Sequence, residues 1–348
     1  MKRLLFASLI YLVLVVPAAL AAPQIKDGFY DDVDAQGHVI RTAEYQLGVP
    51  HGRFREFYPD GLLKATGLHF NGKLDGLYME YAKDGKPMVR TFYQNGILHG
   101  MKTSYYSNGR IKSEEPFIRG WKDGVVREYA EEGGLVWARE FAHNKESGVS
   151  RHYFATGGTH REFDYRNGVQ IGRIREYYPD GKLKGVYQSF NGKRSGAGKE
   201  YFATGELLNE GSYEEDLLNS FVKIFYRNGS LRIKSNYTQG RAHDPAWREY
   251  YEDGAIHWVI PVKDDRKQGL GREYFGDGQL KTEGVFVDDK RDGVFKTFDP
   301  AGWLALEAKY EAGRCTRRIE YYKSGKVKSD QQLFPEEGAA VEKDAEVK

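Results

Sequence analysis

Tyr177-Tyr178-Pro179-Asp180-Gly181-Lys182-Leu183, followed seven residues on by Phe190-Asn191-Gly192-Lys193-Arg194-Ser195-Gly196, decides the fold. The first segment recurs along the chain. Its turn glycine stands at Gly37 and returns every 24 residues to Gly229, then at Gly254, Gly278, Gly302 and Gly325. The second segment also recurs, as Gly72/Gly76, Gly96/Gly100, Gly120/Gly124 and Gly168/Gly172. A fixed period of this length is the mark of a repeat array. Two turns per period leave room for two short strands.

The turn chemistry selects a geometry. In Pro179-Asp180-Gly181 the proline presets φ near −65° and the glycine is free to take φ > 0. That suits a three-residue hairpin loop, a type I turn closed by a glycine bulge. A two-residue loop over Asp-Gly competes with it, and register decides. Four residues before the turn glycine the side chain is aromatic from Phe57 and Tyr81 through Tyr177 and Tyr201 to Tyr321. Two residues after it the side chain is mostly aliphatic, as at Leu63, Leu183, Leu207 and Leu280. Only the three-residue loop sets these two directly opposite, and such cross-strand pairs are worth about 0.2–1 kcal/mol each. The two-residue loop would set the aliphatic against Ala82, Ala130 or Asp299 in some units.

Strict alternation along the strands then places a second aromatic, as at Tyr93, Phe117, Tyr165, Tyr213 and Phe286, on the same face. Glutamates one residue before the first aromatic (Glu56, Glu80, Glu176, Glu249) fall on the other. The expected fold is all-β, an elongated single-layer antiparallel sheet of stacked β-hairpin repeats with a 24-residue period, about 12 units over residues 22–334. Each unit is too small to bury its apolar face alone, so neighbours stabilise one another. The array is interrupted in three places. Glu214 to Ser220 lacks both glycines of the second turn, and Arg241 to Pro245 and Asp264 to Gln268 are irregular. Val33 replaces the first aromatic, as a cap would.

The two ends differ from the array. Lys2 and Arg3 precede an apolar run from Leu4 to Val16, and Ala19-Leu20-Ala21 offers small residues for cleavage. Residues 1–21 are therefore expected to be a signal peptide, with export to the periplasm or outside the cell; an uncleaved anchor is the alternative. No cysteine follows the apolar run to carry a lipid. Residues 335–348 read as a disordered charged tail.

Composition narrows the function. Lys and Arg number 52 and Asp and Glu 50, a net charge of +2, which becomes 0 when Lys2 and Arg3 are removed. That balance argues against nucleic acid as a partner and gives no polybasic patch for anionic lipid. With Cys315 as the only cysteine, the exported fold has no internal disulfide. The nine histidines fall in no metal-binding spacing, and neither a nucleophile elbow nor a phosphate-binding loop is present. No cofactor is expected. The glutamate row runs beside Arg55, Arg127, Arg175, Arg248 and Arg272, and reads as a ladder of surface charge rather than an acid/base pair. Trp137 and Trp258 fall on the expected apolar face. Trp121, Trp247 and Trp303 lie near turns and form the candidate binding surface.

The pattern of two aromatics, Pro-Asp-Gly and Leu, with the following Asn-Gly-x-x-x-Gly, resembles the MORN repeat, and specifically the bacterial variant of the YwqK-type antitoxin-repeat family. His51-Gly52 and His99-Gly100 match the His-Gly that often closes the second turn there. The resemblance spans roughly residues 28–334. It implies a scaffold, a protein-binding platform or a membrane-associated linker, and the antitoxin label implies binding a toxin. Sequence and resemblance together give a non-catalytic exported repeat scaffold that mediates protein–protein interaction with an unidentified protein. Envelope or membrane association and toxin neutralisation are the alternatives. An enzyme acting on envelope glycans would need its site grafted into residues 214–268.

Overall fold

The computed structural model describes residues 26–333. Residues 1–21, expected to be a signal peptide, and residues 335–348, expected to be a tail, lie outside the described residues. The fold is all-β, an open antiparallel sheet of stacked hairpins, with thirty strands in the sheet and a two-stranded side ribbon, Val262–Lys263 with Arg266–Lys267. The chain divides into two compact units, one up to His99 and one from Gly100 onward.

The first turn has the expected geometry. Tyr178 N–H donates to the Lys182 carbonyl at 2.8 Å, and Gly181 N–H to the Tyr178 carbonyl at 2.9 Å, with Gly181 at φ +85°. Pro179, Asp180 and Gly181 are the three loop residues. Asp180 accepts from the Lys182 N–H at 3.1 Å, which is why Asp or Asn precedes the glycine. The second turn is a two-residue loop. Asn191 and Gly192 both have positive φ, and Phe190 pairs with Lys193. This is the primed turn whose twist matches the strands.

The aromatic–aliphatic pair forms as expected, Tyr177 opposite Leu183 and Phe57 opposite Leu63. Immediately beyond it the ladder slips by one residue. Glu176 pairs with Gly185 and Glu56 with Ala65, leaving Lys184 and Lys64 as bulges. The same slip skips Met88, Lys112, Val136 and Lys281. One extra residue reverses the alternation of everything that follows it. The second aromatic therefore joins the glutamates on one face, here called inner, and the first aromatic stands on the other, outer face. The expected separation of an aromatic face from a glutamate face is thus corrected.

The inner face holds most of the core. In the first unit Ala43, Phe54 and Ala65 are buried on it, and in the second Val126, Tyr187, Ile260, Phe286, Phe295 and Ala308. Among the described residues no second layer covers it, and rings lie over glycines of the facing strand. Phe54 covers Gly67, Tyr187 covers Gly198, and Phe295 covers Gly284; a Cβ at any of these three would collide with the ring. The inner glutamates are satisfied locally. Glu200 accepts from the Tyr187 hydroxyl at 2.6 Å, and Glu273 pairs with Lys281 at 2.7 Å. Burial, with Glu200 next, raises the Tyr187 hydroxyl well above its ordinary range and keeps it a donor.

Candidate interaction surface

Three devices tie each repeat to the next and account for much of the recurring sequence. The residue three before the turn glycine is often tyrosine, and its hydroxyl donates to a backbone carbonyl one repeat on. Tyr58 reaches the Tyr81 carbonyl at 2.9 Å in the first unit. Tyr106 reaches Tyr129, Tyr178 reaches Tyr201 and Tyr226 reaches Tyr250 in the second, at 2.7–2.9 Å. In the second turn the glycine N–H donates 22 residues back, as Gly168 does to Glu146 at 2.7 Å. At several repeats, as at Gly52, Gly148, Gly172 and Gly196, the glycine four residues later sits at φ near +100° beside a polar side-chain cap. At Gly196 (φ +106°) the following N–H, of Ala197, donates to the Gln188 amide oxygen at 3.1 Å.

The interruptions keep this scheme. Glu215 and Asp216 adopt the positive φ of the missing Asn-Gly, and Ser220 that of the missing glycine, at +88°. Asp216 compensates by accepting from the Arg194 N–H at 2.9 Å. Asn144, Asp265 and Asp289 do the same from their turns. The carboxylates of this stretch diverge: Glu214 takes Asn219, Glu215 takes Lys193 and Asp216 takes Arg194. Among the described residues no three His, Cys, Asp or Glu side chains group as a metal site, and no helix is long and apolar enough to cross a membrane.

The outer face is different in kind. Its basic row, two residues before the first aromatic, meets acids on the neighbouring strands of the second unit. Arg151 pairs with Glu162 at 2.8 Å, Arg175 with Asp164 at 3.1 Å and Lys223 with Glu210 at 3.0 Å. The outer tyrosines add to this, Tyr177 donating to Glu162 and Tyr321 to Glu307. In the first unit no acid lies directly across the ladder from Arg55. Arg55 lies between Thr42 and Thr66, where the second unit places glutamates such as Glu162 and Glu210. Neither Arg53 nor Arg55 has an ion-pair partner among the described residues, and both are exposed. They border a concave pocket of about 420 Å³ whose apolar wall is Phe29, Leu68, Leu77 and Met79. Phe29 is 65% exposed. Two acids stand nearby. Asp31 accepts from the Thr42 hydroxyl at 2.6 Å, and Glu44 caps the Arg53 N–H at 3.2 Å.

The three candidate tryptophans have separate fates. Trp121 is 51% exposed, opposite the equally exposed Ile118 across a second turn. Trp247 packs against the buried Ile260, Phe286 and Phe295, beside Trp258 and Tyr310. It stands seven residues before its turn glycine, on the inner face, so it belongs to the core and not to a turn. Trp303 is half-buried. No ring contact joins the three. The arginine-lined pocket carries no motif that sequence reading picks out. Its signal, threonine in place of glutamate beside a basic row, becomes legible only once the register is known.

The family model described as the MORN repeat variant matches residues 98–119, 170–191, 222–239 and 291–312. No curated protein matches the chain. Among solved structures, one of TcdB2-TccC3-Cdc42 is 13% identical at a TM-score of 0.17, covering 87% of this chain and 15% of that one. The TCP10 domain of Danio rerio CPAP, in complex with a peptide of STIL, is 13% identical at a TM-score of 0.15, covering 73% of this chain and 98% of that one. The Photorhabdus luminescens Tc holotoxin pore is 11% identical at 0.14, covering 85% and 22%. The chain thus spans less than a quarter of the TcdB2-TccC3-Cdc42 chain and of the holotoxin-pore chain.

Proposed function

We propose that this MORN-repeat chain is a non-catalytic, exported scaffold that binds another protein on the outer face of its sheet. One observation carries the reading. Inner-face rings, tyrosine hydroxyls and second turns are engaged in holding repeats together, whereas the outer face of the first unit keeps unpaired guanidinium groups beside exposed apolar side chains. Polar groups without partners next to exposed apolar area are what a protein interface provides. Placement in the YwqK-type family would make the bound protein a toxin, and a toxin gene adjacent to this one would favour that narrower reading.

Site-specific photo-crosslinking in cells tests the scaffold. A photoreactive residue at Leu77 or Val125, both outer and exposed, is expected to trap one defined protein, and one at the buried Ala65 is not. Absence of any trapped protein from both outer positions would refute the reading. Export is tested separately by fractionation with N-terminal sequencing. The expected mature chain begins at Ala22 in the periplasm or medium, and a cytoplasmic chain beginning at Met1 would overturn it.

A further inference from the structure

We infer that the concave outer pocket of the first unit is a docking site for an acidic, aliphatic peptide segment of a partner protein. The inference rests on the scaffold reading and narrows it to one surface and one chemistry.

The basis is a mismatch of charge inside an otherwise balanced repeat. At several places in the second unit's basic outer row a glutamate on a flanking strand neutralises the charge, as Glu162 does for Arg151 and Glu210 for Lys223. Arg55 occupies the same place in the first unit with Thr42 on one side and Thr66 on the other. The hydroxyls are already committed, Thr42 to Asp31 and Thr66 to the Phe54 carbonyl at 2.9 Å. Arg55 is therefore a fork of donors whose usual partner is absent. Arg53 stands two residues away on the same strand and face, so the two are roughly 7 Å apart along it. That spacing matches carboxylates at alternate positions of an extended peptide, and the planar guanidinium takes a carboxylate through two parallel hydrogen bonds.

The walls supply the rest. Leu68 pairs across from Arg53, and Leu77 and Met79 follow on the next strand, with Phe29 on the far side. Alternating acidic and aliphatic side chains would set the acids on Arg53 and Arg55 and the aliphatics against these residues. Glu44 and Asp31 do not fill the role, because each is held by another bond and neither lies in ion-pair range of Arg53 or Arg55.

The test is fluorescence anisotropy of a labelled peptide alternating glutamate and leucine, titrated with the full chain. Saturable binding is expected, with none for a lysine–leucine peptide of equal length. Arg55→Ser should weaken it about tenfold, the size of one charge-assisted hydrogen bond lost. Thr42→Glu with Thr66→Glu, which places carboxylates across the ladder from Arg55, should weaken it at least as much while circular dichroism shows the β fold retained. Binding that is indifferent to both variants overturns the proposal. So does an oleate anion that binds tighter than the peptide and displaces it, since the occupant would then be a lipid. If the peptide fails but crosslinking from Val125 in the second unit still traps a protein in the Arg53→Ser/Arg55→Ser variant, the scaffold reading survives and this surface does not.

Discussion

Gly196→Ala should be costly for two separable reasons, and the glycine-cap pairing makes them measurable. Gly196 has φ +106°, and a Cβ there would overlap the Gln188 amide oxygen that caps the Ala197 N–H. The backbone strain of a non-glycine residue in this region is about 1–2 kcal/mol. Displacing the cap loses a hydrogen bond worth about 1 kcal/mol. Against this, alanine restricts the unfolded chain and returns about 0.4–1 kcal/mol. The net cost is about 2 kcal/mol by these same contributions. Gly181→Ala is the control. Gly181 has φ +85°, and a Cβ added there would meet no heavy atom within 4 Å, so strain alone applies and the cost is about 1 kcal/mol. In a Gln188→Ala background the cap is already gone, and Gly196→Ala should fall to the cost of the control. Urea unfolding read by hydrogen exchange at residues 185–201 gives all four corners of the cycle, and the local readout suits an array whose stability is a sum of neighbour terms. Equal costs at Gly196 and Gly181, or no change in the Gln188→Ala background, would refute the reasoning.

Tyr178→Phe removes the hydroxyl that reaches the Tyr201 carbonyl at 2.8 Å and should cost about 1 kcal/mol in urea unfolding; a neutral result would mean that the tyrosine row does not couple repeats. Ser220→Gly relieves a non-glycine φ of +88° and should leave stability unchanged or raise it by up to about 1 kcal/mol, so a clear loss in melting temperature would contradict the repeat-equivalent geometry. Burial, then Arg161, holds His160 below the usual histidine range, and burial, then Arg41, does the same for His69. The unfolded chain therefore takes up protons first, so stability is full above the ordinary histidine value and falls as pH drops through it toward the lowered folded values. Urea midpoints from pH 8 to pH 5 should fall less steeply for His69→Gln/His160→Gln than for the parent, and identical slopes would count against it.

The parts legible in the sequence were those marked by residue type. Proline, aspartate and glycine specify the first turn, and Tyr177 facing Leu183 fixes its loop length. The bulge that follows has no such mark. Lys64, Met88, Val136 and Lys184 all occupy it, because it needs no positive φ and no particular side chain. One unmarked residue was enough to exchange the faces, to put the glutamate row inside and to draw Trp247 into the core. The interruption at Glu214 to Ser220 was visible, but its meaning was not. Non-glycine residues can hold the glycine conformation when a side chain such as Asp216 gains a bond in exchange. The arginine pair was in plain view as Arg53 and Arg55. Its lack of partners depends on which residues lie across the ladder, and that again depends on the bulge.

The bulge is the central claim, because the inner core, the outer basic row and the pocket all follow from it. Disulfide trapping reads it directly in a Cys315→Ser background. The bulged register sets Arg55 opposite Thr66, at a Cα separation of about 4.5–5.5 Å that a disulfide can bridge. An unbulged hairpin would instead set Arg55 opposite Ala65. Arg55→Cys/Thr66→Cys should oxidise rapidly and completely in the folded protein while Arg55→Cys/Ala65→Cys stays reduced, and the opposite outcome would contradict the account.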